Sequence, residues 1–247
     1  MVLPLSTFER YEYKYQLNHL QYRQLHTLIR DRLSPDEHQV SEAGYVVDSL
    51  YFDTLDHRSF WDKEGSIENR YKVRLRRYQS ESKIFLEIKE KRNEDISKYR
   101  VALPGMNDQL VDENFLNQIP GIPDKISHKV SVALFHPELS IRYLRQAFIS
   151  DHFTKLRVTF DYDLEAIQLN SECTTTNAFT GLSLPFQSPD EQKIIIMEIK
   201  FSTLLPVWLL QILQEYNLQR QSYSKYFMAH QTLQQYNLPV CDYQSFY

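Results

Sequence analysis

The chain has 247 residues, 42% hydrophobic and 24% charged, values ordinary for a soluble globular protein with a full core. Its formal net charge of −4 excludes the overall basic field of a duplex-binding protein. Cys173 and Cys241 make neither a disulfide framework nor a metal-ligand spacing, and no apolar run approaches the roughly 20 residues of a membrane span.

The opening MVLPLSTFERYEYKY lacks a basic segment followed by an apolar one, so no signal peptide is expected and a cytoplasmic location is. No composition break marks a linker, and one domain over residues 1–247 is expected, with residues 236–247 peripheral.

Phe8–Tyr15 alternates, with Arg10, Glu12 and Lys14 on one face and Tyr11, Tyr13 and Tyr15 on the other. Asn18 is placed to cap a helix reaching about Leu33, and Pro35 ends it. Tyr45–Phe52 is rich in β-branched and aromatic residues and predicts a strand. Asp53 or Thr54 then caps a short helix through about Lys63, with Gly65 at its end.

Arg70 to Lys91 predicts a β-hairpin turning at Gln79–Ser82. Lys72, Arg74 and Arg76 share one face of its first strand, and Glu87, Lys89 and Lys91 one face of its second. Ser97–Leu103 predicts a further strand with Lys98 and Arg100 in step. Residues 107–135 are expected to be helical in two pieces, LVDENFLNQI and DKISHKVSVALF. Strands are expected at Leu139–Ile149, with Tyr143 and Arg145 on one face, and at Lys155–Tyr162, with Arg157, Thr159 and Asp161 in step. The polar stretch Leu169–Glu191 is expected to be a loop or an irregular edge. Lys193–Phe201 predicts a last strand carrying Glu198 and Lys200, and helices follow at Pro206–Tyr216 and Ser222–Tyr236.

E-x-K recurs on predicted strands as Glu12/Lys14, Glu87/Lys89 and Glu198/Lys200. One such face is simply a wet sheet surface. Six of them predict an antiparallel sheet with one apolar and one charged face, either an open saddle or a barrel closed around the charges, and closure would remove the sheet's edges. Arg74 and Arg76, about 7 Å apart along one strand, repel by about 2 kcal/mol at an effective dielectric near 20. A lumen lined by Lys14, Lys72, Arg74, Arg76, Lys89, Lys98, Arg145, Arg157 and Lys200 therefore calls for a polyanion, and the Arg fork suits phosphoryl oxygens. Walker, Rossmann and kinase signatures are absent, and nothing points to nucleic acid.

The set FERYEYKY, DSLYFDT, RYKVRLRRY, FLEIKEK with SKYRV, IRYLRQAF, LRVTFD, IMEIKF and YSKYF, in this order, resembles the VTC domain. That is the polyphosphate polymerase domain of the triphosphate tunnel metalloenzyme (CYTH-like) superfamily, and the likeness runs from Phe8 to Phe227. The resemblance implies an α+β fold, a closed antiparallel β tunnel with flanking helices. It also implies metal-dependent transfer of the ATP γ-phosphate onto polyphosphate, with tripolyphosphatase or nucleoside triphosphatase activity, or polyphosphate binding without turnover, as alternatives.

Carried over by position, Arg74, Arg76, Lys89, Arg145, Arg157 and Lys200 are catalytic, and Lys14, Lys98, Tyr143, Ser224 and Lys225 bind substrate. Glu198 would hold Mn²⁺ or Mg²⁺, with Glu87 or Glu12 assisting. The eukaryotic polymerases carry a Lys two residues before the Ser of the SK pair. Here that place is Ser222, and Arg220 is the basic residue expected to substitute. Without the SPX and transmembrane domains of the eukaryotic chains, the sequence looks like the stand-alone bacterial form, with ATP and polyphosphate as its implied ligands.

Overall fold

In the computed structural model, residues 11–39, 41–93, 95–103, 105, 109–112, 114–120, 122, 135–150, 155–169, 173–180, 184–185 and 193–235 are described. The tail from residue 236 and the second expected helical piece, save its last residue, lie outside them.

The elements in chain order are β1 (Tyr11–Leu17), α1 (His19–Arg30), β2 (Ser34–Pro35), β3 (Tyr45–Asp53), α2 (Arg58–Glu64), β4 (Arg70–Tyr78), β5 (Ile84–Arg92) and β6 (Asp95–Leu103). Then come β7 (Leu110–Val111), a 3₁₀ turn (Phe115–Gln118), β8 (His136–Ile149), β9 (Arg157–Gln168), β10 (Cys173–Thr174), α3 (Thr175–Thr180), β11 (Leu184–Pro185), β12 (Ile195–Phe201), α4 (Val207–Glu215) and α5 (Lys225–Gln235).

Local signals explain several boundaries. Asn18 and Gln21 form a reciprocal capping box at the start of α1. Asp53 accepts from the backbone N–H groups of Thr54, Ser59 and Phe60, fixing the entry to α2. The expected helix over 110–119 is instead a two-residue strand and a 3₁₀ turn. Val111 and Phe115 fit a helical spacing, but Asp112 takes the Asn114 N–H in a local turn while β7 pairs with β10. The stretch read as irregular carries α3 and the short strand β11 on the flank of β9.

The large sheet is antiparallel throughout, in the order β1-β12-β9-β8-β3-β4-β5-β6. It is a strongly curled half-barrel, not the closed barrel expected from the sequence. Two features keep the seam between β1 and β6 open. The Lys14 carbonyl on the free side of β1 takes the N–H of Gln221, so the segment leading into α5 occupies that edge. Charged Lys98 and Arg100 stand on β6, and an edge so charged resists pairing.

The convex side is covered by two cores. Leu25 and Ile29 of α1 and Leu209 and Ile212 of α4 pack on Val158, Phe160 and Ile199. Val111, Phe115 and Leu116 cover Leu50, Val73, Leu75 and Leu86. The third core lies on the concave side, where Tyr223, Tyr226 and Ala229 at and within α5 meet Tyr51, Ile141 and Tyr143. The C-terminal helix is therefore laid inside the curl, with its first turn beside the charged residues.

Candidate active site

Period-two alternation aims the ionic residues of the long strands at the concave face. Register sets Glu87 opposite Arg74 on one side and opposite Arg100 on the other. Arg74 donates from Nε to Glu87 Oε2 at 2.8 Å and from its terminal nitrogen to the Tyr51 hydroxyl at 3.0 Å. Arg76 donates to Ser49 Oγ at 3.1 Å, and its other end lies 3.5 Å from the same Glu87 oxygen. Arg100 stands 3.6 Å from Glu87 Oε1. Burial pushes the Glu87 carboxyl up, but Arg74 and Arg76 overcome it and hold the group at about 2. The Tyr51 hydroxyl is likewise drawn below its ordinary value against burial, by Arg74 and then Arg76.

On the neighbouring hairpin the Arg145 fork meets Asp161 through two bonds of 2.7 and 2.8 Å. Lys225, at the first turn of α5, reaches the same carboxylate at 2.5 Å. Both cations also lie over the Tyr143 ring, at 5.3 and 4.7 Å from its centroid. Burial raises Asp161, yet Arg145 and Lys225 hold it at about 2. Arg157 donates to Asp36 at 2.6 Å and to the Tyr45 hydroxyl at 3.2 Å.

The third group spans β1 and β12, whose register sets Lys14 opposite Glu198 and Glu12 opposite Lys200. Lys14 Nζ lies 2.9 Å from Glu12 and 3.9 Å from Glu198, while Lys200 pairs closely with Glu198. Burial and the Glu198 charge push Glu12 up, but Lys14, Lys200 and Lys89 overcome both and hold it at about 2. Glu198 lies well below the usual carboxylate range: burial opposes this, and Lys200 and Lys14 prevail. The two ionised carboxylates offer hard oxygen donors of the kind Mg²⁺ or Mn²⁺ takes, with the Lys14 ammonium lying between them. Glu87 stands apart from this pair, engaged by its three arginines.

Cations exceed carboxylates most around Lys72 and Lys89. Burial and then the Lys89 charge lower Lys72 to about 7. Burial lowers Lys89 to about 8, with Glu12 opposing and Lys98, directly across the strand pair, adding to the fall. Among the described residues, no carboxylate comes within ion-pair distance of either. Lys72 Nζ instead donates to Ser224 Oγ at 2.7 Å, just before α5.

Most of the residues expected from the sequence thus converge on one concave face, with Lys98 at its exposed rim. Arg220 does not join them, because its guanidinium lies over the Tyr13 ring at 4.2 Å. Lys63 of α2 instead donates to Ser222 Oγ at 3.0 Å, bringing an ammonium to the place of the family's extra lysine. Sequence reasoning missed Lys63 and Asp36, which come from a helix and a connection. It also missed Tyr45, Ser49 and Tyr51, whose alternation along β3 was the available signal.

The family model for the VTC domain matches residues 9–234. A search of curated proteins finds no match. Among solved structures, an adenylyl cyclase candidate of Hippeastrum, described as having a dominant triphosphatase activity, is 13% identical with a TM-score of 0.49, over 90% of this chain and 96% of its own. An adenylate cyclase candidate of Vibrio parahaemolyticus is 11% identical with a TM-score of 0.46, over 90% and 98%. The PH1819 protein of Pyrococcus horikoshii OT3 is 15% identical with a TM-score of 0.43, also over 90% and 98%. Among the described residues, no helix is long and apolar enough to cross a membrane. The family match implies triphosphate-tunnel phosphoryl transfer with a divalent metal ion. With the match running through nearly every element of the fold, this chain belongs to the VTC domain family.

Proposed function

We propose that the concave face binds the triphosphate of ATP and the end of a polyphosphate chain, and transfers the γ-phosphoryl group between them. The observation that carries this reading is the excess of buried cations on that face, greatest where Lys72 and Lys89 are held at about 7 and about 8. An anion restores their charge and removes their mutual repulsion.

Phosphoryl transfer spreads charge over the equatorial oxygens, so positioning and neutralisation suffice for catalysis. In this reading Arg74, Arg76, Lys89, Arg145, Arg157 and Lys200 take that charge. Lys14, Lys98, Ser224 and Lys225 hold the flanking phosphates, joined by the Tyr143 hydroxyl, a buried group without a hydrogen-bond partner among the described residues. Glu198 and Glu12 would hold Mn²⁺ or Mg²⁺, which would supply further charge stabilisation to the phosphoryl oxygens. Glu87 aligns the arginine forks, and an ionised terminal phosphate of the chain attacks the γ-phosphorus without a general base as the bond to the β,γ-bridging oxygen breaks and ADP leaves.

Incubation of the purified chain with ATP and Mn²⁺, followed by gel resolution of products, tests the proposal. Long polyphosphate supports it. Release of free phosphate alone assigns the concave face to hydrolysis. Neither product leaves a binding module.

A further inference from the structure

A second ionic cluster lies farther along α5, away from the tunnel cations. Register slips between Tyr51 and Phe52 of β3, so Glu138 of β8 has no partner across the pair, and the bulge aims its side chain into the protein. His57, at the left-handed residue before α2, brings Nδ1 to 3.3 Å from Glu138 Oε1. His230 of α5 brings Nε2 to 3.6 Å from the same oxygen. The three donor atoms lie within 4.8 Å of one another. On the other side of the carboxylate, His136 Nε2 lies 3.2 Å from Oε2.

These donors are poorly used by the protein itself. Among the described residues, His57 Nδ1, Glu138 Oε1 and His230 Nε2 are buried with no partner at good hydrogen-bond geometry. Buried polar atoms are normally satisfied, so three such atoms converging on one point need a cause. A proton shared by one imidazole and the carboxylate satisfies at most two of them. A tetrahedral ion with bonds near 2.0–2.1 Å needs donors roughly 3.3–3.4 Å apart, and the two separations to Glu138 sit close to that.

We infer that His57, His230 and Glu138 form a binding site for one Zn²⁺ ion, distinct from the tunnel carboxylates. Two imidazoles and one carboxylate suit Zn²⁺ better than a hard alkaline-earth ion. His136 orients the carboxylate from its second oxygen, and Phe60 stacks on the His230 ring at 4.4 Å and fixes its plane. His57 is 34% exposed, so the cluster lies near the surface, and the three protein donors leave a tetrahedral ion one further position. The ion ties α2 and β8 to α5, the helix that carries Lys225 into the tunnel.

The test uses the untagged full chain, stripped with chelator and titrated with Zn²⁺ against a chromophoric competitor, with melting followed in parallel. One equivalent should bind, raise the melting temperature, and persist in Glu198→Gln, which alters only the tunnel pair. His57→Asn should lose at least tenfold in Zn²⁺ affinity and lose the Zn²⁺-dependent melting shift. Asn tolerates the positive φ of 53° at this position, so the variant keeps its backbone. His230→Ala should behave alike. Failure to bind Zn²⁺, or unchanged affinity in folded His57→Asn, overturns the inference. Neither readout depends on turnover, so the polymerase proposal can fail without it.

Discussion

If the concave face binds anions as proposed, Lys72 and Lys89 make that binding measurable as protons. With Lys72 at about 7 and Lys89 at about 8, the pair is partly neutral in the free protein. An anion between them raises both values, so binding takes protons from solution and affinity falls as pH climbs past about 7. At pH 8, Lys72 is about nine-tenths neutral and Lys89 about half, so full restoration takes up about 1.4 protons per site. At pH 7 the same arithmetic gives about 0.6. Calorimetric titration with tripolyphosphate, free of metal and in buffers of differing ionisation enthalpy, yields the uptake as the slope of heat against buffer enthalpy. The ligand's own protonation cancels on comparison with the Lys72→Met/Lys89→Met variant. An equal slope for wild type and variant refutes the reasoning.

Arg76→Ala should cut turnover by about a thousandfold or more while leaving the circular dichroism spectrum in place, since Arg74 still holds Glu87; a fully active variant counts against the tunnel site. Lys63→Ala should weaken tripolyphosphate binding by about tenfold with little change in melting temperature, because the side chain is only partly buried and its hydrogen bond goes to the Ser222 hydroxyl. Glu198→Gln should remove the Mn²⁺ or Mg²⁺ dependence of turnover, measured as the metal concentration giving half activity; an unchanged dependence moves the ion elsewhere. Asp161 and Glu87, depressed to about 2, each contribute about 2–3 kcal/mol that is complete above the unfolded values near 4 and lost as pH falls toward 2, so urea midpoints should drop steeply below pH 4.5.

The strand faces were legible because side-chain direction in a strand depends only on parity. Lys14, Arg74, Arg76, Arg145, Arg157 and Glu198 could all be placed on one face before any pairing was known. Closure was not legible, since it depends on two edges meeting that are far apart in sequence. Nothing in FERYEYKY tells that Gln221 takes the free side of β1. Asp36 and Lys63 escaped for a related reason, reaching the site from a connection and a helix. The Glu138 cluster was hidden by a bulge, which breaks the parity rule at the residue that matters. Helical spacing misled at Val111 and Phe115, where a turn and a short strand bury the same two side chains.

Charge repulsion, read from the sequence as a reason to demand a polyanion, is largely answered within the protein. Glu87 sits between Arg74 and Arg76, at 2.7 and 3.5 Å. Unit charges near 4 Å attract by about 4 kcal/mol at an effective dielectric of 20, more than the roughly 2 kcal/mol by which the two arginines repel. Desolvation consumes much of that gain, so the pairs orient the cations more than they stabilise the fold. Asp161 does the same for Arg145 and Lys225, and Asp36 for Arg157. Each guanidinium keeps N–H groups beyond those its carboxylate uses, and these can meet phosphoryl oxygens without breaking the pair. The unanswered charge is left on Lys72 and Lys89, whose flexible ammonium groups give up protons when the tunnel is empty. In the proposed reading the face is rigid where geometry would serve transfer and adjustable in charge where an anion would enter, so the proton count on binding is a direct test of that reading.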